Sequence, residues 1–98
     1  MRQVSVVACG RVDAGASPVW FNRSGFNSTI TRSSAGVYRL TMTDGGVDAT
    51  KAQYYGQLAA GGHMAVSQSS DTQVDVTITD ATGTAADIDF SLKIERIP

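Results

Sequence analysis

Asp87-Ile88-Asp89-Phe90-Ser91-Leu92-Lys93-Ile94-Glu95-Arg96-Ile97 decides the fold. Ile88, Phe90, Leu92 and Ile94 alternate with Asp87, Asp89, Ser91, Lys93 and Glu95. Successive side chains of a strand point to opposite faces, so this period of two describes a strand with one face in a core and one in water. Working back, Gln73 to Thr79 repeats the pattern, with Val74, Val76 and Ile78 set against Asp75, Thr77 and Thr79. Asp80-Ala81-Thr82-Gly83 is the turn between the two.

The same grammar covers the rest of the chain. Val37 to Thr43 is a strand with Tyr38, Leu40 and Met42 on one face; its threonines pack well on a pleated surface. Ser33-Ser34-Ala35-Gly36 predicts a hairpin turn joining it to a polar strand, Asn27 to Arg32, with Gly36 supplying a positive φ. Val19 to Asn22 is a short strand. Gln3 to Val12 is the first strand, with Val4, Val6, Ala8 and Val12 on one face and Val7 and Cys9 on the other. Gln53 to Ala59 and His63 to Ser69 are weaker strands around Gly61-Gly62. Val47 to Lys51 is a loop or a single helical turn. No stretch carries a 3.6-residue apolar period. About eight short strands at regular spacing predict an all-β, antiparallel β-sandwich or jelly roll. It occupies residues 1–98 as a single domain.

At 98 residues, such a domain has a thin margin of stability. Disulfides, metals and oligomerisation are the usual remedies. One cysteine, Cys9, rules out an internal disulfide, and one histidine, His63, argues against a Cys/His zinc site. Self-association is the remaining route.

Eight basic and nine acidic residues give a formal charge of -1, and only 17% of residues are charged. No basic run offers a footprint for nucleic acid. No apolar run reaches the roughly 20 residues of a membrane-spanning helix. Val6-Val7-Ala8-Cys9 has the look of a lipoprotein cleavage site, but too few residues precede the cysteine for a leader of normal length. Asn22-Arg23-Ser24 and Asn27-Ser28-Thr29 fit the glycosylation pattern and are read as chance in a Ser/Thr-rich chain.

Residues able to do chemistry are scarce. A Ser-His-acid triad would need His63, which sits at a turn. Cys9 lies in a run of small and apolar residues and reads as a buried or interfacial thiol. Asp87 and Asp89 share a strand face, yet no third oxygen-rich segment has calcium-loop spacing. Asp44-Gly45-Gly46-Val47-Asp48 reads as a turn. The expectation is a protein that is not an enzyme, with no catalytic residue, no metal and no cofactor. The aromatic pairs Trp20-Phe21 and Tyr54-Tyr55 each send one ring outward, and outward rings are enriched in interface cores. The outward rings assigned here are Trp20 and Tyr55.

Three stretches carry a family likeness. They are Val6-Val7-Ala8-Cys9-Gly10-Arg11-Val12, Gly36-Val37-Tyr38-Arg39-Leu40-Thr41-Met42, and the terminal strand from Asp87 through Arg96-Ile97-Pro98. Together they resemble the small jelly-roll domains of tailed-phage structural proteins, whose shape is tumour-necrosis-factor-like. The resemblance implies a homotrimer with first and last strands adjacent near the threefold axis. It implies a capsid decoration (cement) protein on the virion surface, made in the host cytoplasm, with the major capsid protein as partner. Val7 and Cys9 would face neighbouring subunits. Met1-Arg2-Gln3, ahead of an unencumbered first strand, would pair with a capsid strand. A chain that reaches strand directly after Met1 favours this role over a tail-fibre tip. That trimeric receptor-binding tip and a carbohydrate-binding module are the alternatives.

Overall fold

A computed structural model describes residues 5–97. The elements are β1 (Ser5–Asp13), β2 (Val19–Ser24), β3 (Phe26–Ser34), β4 (Val37–Met42), a single 3-10 turn (Ala49–Lys51), β5 (Ala52–Leu58), β6 (His63–Gln68), β7 (Gln73–Thr79) and β8 (Phe90–Arg96). They form two four-stranded sheets, ordered β2-β1-β8-β5 and β3-β4-β7-β6. Every pairing is antiparallel. The two sheets pack face to face as a sandwich, the architecture that the alternating pattern predicts.

Alternation explains the core. Val12, Phe90, Leu92 and Ile94 come from the first sheet; Tyr38, Leu40, Val74, Val76 and Ile78 come from the second. All nine are at most 1–2% exposed, and the polar residues between them point away. Each such side chain removed from water contributes roughly 1.5–3 kcal/mol. Among the described residues no buried side-chain nitrogen or oxygen lacks a partner. The Ala35-Gly36 hairpin forms as expected. Gly36 has φ 73° and donates its N–H to Asp87.

The terminal strand differs at its start. β8 begins at Phe90, and Asp87-Ile88-Asp89 belong to the connection before it rather than to strand rungs. The reason is local competition. Asp87 Oδ1 accepts from the Tyr38 hydroxyl (2.5 Å), the Gly36 N–H (2.9 Å) and Arg32 Nε (3.2 Å), while Oδ2 accepts from Arg32 Nη2 (2.8 Å). Asp89 Oδ1 accepts from the Ala14 N–H at 2.8 Å. The carboxylates that the sequence places on one strand face instead fasten two different loops.

β1 is flanked on one side along its length and on the other only from Cys9 onward. It pairs with β8 from Ser5 to Val12 and with β2 from Cys9 to Asp13. The proposed capsid-pairing residues Met1, Arg2 and Gln3 lie outside the described residues.

Candidate interaction face

The outer face of the β2-β1-β8-β5 sheet gathers the side chains with binding character. Two bulges decide which ones. In β1 the register with β8 shifts between Val6 and Ala8. A bulge adds one residue to one strand and reverses the facing of what precedes it. Val6 is therefore 55% exposed, while Val7 packs against the core. The alternation expected from Val4 to Ala8 is broken at this point, and Val7 is not an outward contact residue.

The second bulge lies in β2, where Arg11 pairs with Asn22 but Val12 pairs with Trp20. Phe21 is the extra residue. It is 69% exposed, and Trp20 turns inward against the core. The Trp20 ring stacks on Phe26 with centroids 5.0 Å apart, and its Nε1 donates to the Asn27 carbonyl at 3.1 Å. Phe21, not Trp20, is the ring on the outer face. Gly10 makes this arrangement possible. A Cβ there would stand 2.6 Å from Trp20 Cζ3 and 2.7 Å from the Asn22 carbonyl oxygen.

At the opposite edge, Tyr54 points in and hydrogen-bonds through its hydroxyl to Gln68 of the other sheet. Tyr55 points out, 48% exposed, as expected. Cys9 also keeps its expected facing. It pairs in register with Lys93, which in turn pairs with Tyr55, so Cys9, Lys93 and Tyr55 lie along one cross-strand row. The next row runs Asn22, Arg11, Ser91, Gln57.

The result is a shallow depression of about 520 Å³, floored by Cys9, Arg11, Ser91 and Lys93, with Phe21 and Tyr55 at its two sides. Four strands set those sides roughly 14 Å apart at about 4.8 Å per strand. Each ring has a cation over it. The Arg11 guanidinium carbon is 5.8 Å from the Phe21 centroid, and the Lys93 ammonium is 4.8 Å from that of Tyr55. Glu95 Oε2 lies 3.4 Å from Lys93 Nζ. Such cation–ring contacts hold long side chains flat and keep the rings presented.

The remaining chemistry-bearing residues do not converge. His63 is exposed at the first position of β6. Asp48 caps the 3-10 turn by accepting from the Thr50 N–H (2.9 Å) and hydroxyl (2.8 Å), and these bonds lower its pKa. Asp80 is held the same way by Thr82 and Thr84. The Arg32 guanidinium, then the Tyr38 hydroxyl and the Gly36 N–H, hold the Asp87 carboxyl well below the usual range. Among the described residues no group of three or more His, Cys, Asp or Glu is placed to hold a metal. No helix among them is long and apolar enough to cross a membrane.

The bulges explain why Phe21 joins the face and why Val7 and Trp20 leave it. Arg11 and Lys93 are outward by simple alternation, and what the sequence did not show is that their cations lie over the two rings. The chain matches no family model, and no curated protein or solved structure is found to be similar to it.

Proposed function

We propose that this protein is a non-enzymatic assembly module that docks on a protein surface through the outer face of its β2-β1-β8-β5 sheet. One observation carries the reading: two exposed rings, Phe21 and Tyr55, flank a floor of small and flexible polar side chains. Exposed rings with an arginine among them are the composition of interface centres. The specific form we favour is the one the family likeness implies, a homotrimeric decoration protein that binds the major capsid protein of a phage head. A trimer repeats one modest contact three times, and linked contacts bind far more tightly than single ones. The pairing of β1 with β8 agrees with the strand adjacency that such a trimer requires.

The test is co-sedimentation with shells stripped of accessory proteins, alongside native mass by light scattering. Binding of the wild type that is lost in a Phe21→Ser, Tyr55→Ser double variant supports the reading. Equal binding by both proteins overturns it.

A second reading rests on the same rings. Phe21 and Tyr55 are open to stacking, with Gln57 and Asn22 beside them as hydrogen-bonding groups. That arrangement suits a sugar chain lying across the sheet. Glycan binding by a monomer, with no shell binding, would select this reading.

A further inference from the structure

The sandwich has four edge strands, β2, β5, β3 and β6. Natural edges are protected against strand addition by charges, bulges or proline. β2 carries Arg23 and the Phe21 bulge. β3 carries Arg32 and two register shifts. β5, Ala52-Gln53-Tyr54-Tyr55-Gly56-Gln57-Leu58, carries no charge and no proline, and pairs with β8 through seven rungs without a shift.

The open side of β5 has a defined hydrogen-bonding phase. The Lys51 carbonyl accepts from Ile97 N–H, and Ala59 N–H donates to the Asp89 carbonyl. Odd-numbered residues therefore turn their peptide groups toward β8, and even-numbered ones turn theirs to the free edge. Tyr54, Gly56 and Leu58 thus present both N–H and C=O outward. Ala52 presents its carbonyl, since its N–H bonds to the Ala49 carbonyl.

We propose that β5 pairs antiparallel with β5 of a second copy across a twofold axis at Tyr55, fusing the two sheets into one of eight strands. In this register even-numbered residues face even-numbered ones, as the phase requires. Tyr54 meets Gly56 of the second copy and Ala52 meets Leu58, so each large inward side chain is set against a small one. Outward, Gln53 meets Gln57, and Tyr55 meets its own symmetry mate. A strand that pairs with itself brings identical groups together, so a charged edge repels its copy and β5 does not. About six new backbone hydrogen bonds form by this count of open groups. β6 carries no Asp, Glu, Lys or Arg either, but it is shorter, and the corresponding pairing, with its axis at Ala65, sets Met64 against Val66, bulk against bulk.

This goes beyond docking through the outer face and has its own readout. Tyr55 and its mate form a non-hydrogen-bonded pair with Cα atoms about 4.5 Å apart, within disulfide range. In a Cys9→Ser background, Tyr55→Cys is expected to oxidise to a covalent dimer. Gln53→Cys alone is not, because the two copies of residue 53 lie about 13 Å apart. A mixture of Gln53→Cys and Gln57→Cys chains links again. Native mass is expected at an even number of chains, two, or six where a face-mediated trimer also forms. Tyr55→Lys, which sets two ammonium groups opposite each other, is expected to reduce that mass at least twofold. A native mass of one or three chains overturns the proposal. So does a folded Tyr55→Cys protein, checked by circular dichroism, that fails to cross-link, or equal linking by Gln53→Cys alone.

Discussion

The Tyr38 hydroxyl donates to Asp87 Oδ1 across 2.5 Å, and the same hydroxyl accepts from the Gly15 N–H at 3.4 Å. Tyr38 is 1% exposed, so its hydroxyl has little water to turn to. With Arg32 and Gly36 also on Asp87, this pair ties the β1–β2 loop, the β3–β4 hairpin and the β7–β8 connection into one knot.

That knot is acid-sensitive. The folded state holds Asp87 ionised well below the usual carboxylate range, whereas the unfolded chain protonates it near pH 4. Between those limits the unfolded state binds the extra proton, so its contribution is complete at neutral pH and is lost as the pH falls below about 5. Asp87→Asn is expected to cost about 2 kcal/mol at pH 7, since it weakens charge-assisted bonds to a buried hydroxyl and a backbone donor. It should cost progressively less toward pH 2. Urea midpoints at several pH values check both the size and the slope.

Gly10→Ala is expected to destabilise the fold by about 1–3 kcal/mol, because the added methyl lands on the Trp20 ring and on backbone at once. Trp20 is the chain's one tryptophan. Its fluorescence should shift toward the exposed value if the indole is driven out of its stack with Phe26. An unchanged emission spectrum and unchanged melting would mean that β2 yields without cost.

Phe21→Ser is expected to leave thermal stability within about 0.5 kcal/mol, as for other exposed positions away from packing features. The same variant should weaken shell binding at least tenfold, the scale of a ring near an interface centre. Parallel melting and co-sedimentation curves separate the two effects.

Cys9 is half-buried on the floor between the two rings. Alkylation of the folded protein by a small maleimide should slow at least fivefold when the face is occupied by a shell. An unchanged rate with shell bound would place the contact elsewhere on the molecule.

Much of the architecture was legible because strand alternation is a strong signal wherever one face is buried. β7 runs from Gln73 to Thr79 as its pattern dictates, and β4 keeps Tyr38, Leu40 and Met42 inward. The candidate face was less legible because bulges leave no mark on composition. One extra residue in β1 exchanged the facing of Val6 and Val7, and one in β2 settled which of Trp20 and Phe21 is outward. Gly10 was the available clue, a small residue on the strand beside a tryptophan whose ring needs its space. At Asp87 the period of two continues past the end of the strand. A carboxylate with four hydrogen-bond donors converging on it overrode the local pattern.

The placement of β8 has a consequence for synthesis. It is made after the other seven described strands, yet it sits between β1 and β5, the partners it joins. All four strands of the second sheet emerge before it. A nascent chain therefore carries that sheet with its apolar face uncovered, and β1 and β5 stand separated, until residues 90–96 clear the ribosome. Pairing β1 with β8 closes a long loop in sequence, and contacts of such high sequence separation are the kind that slow folding. Removing those seven residues would not fray an end of the molecule but would take the middle out of one layer.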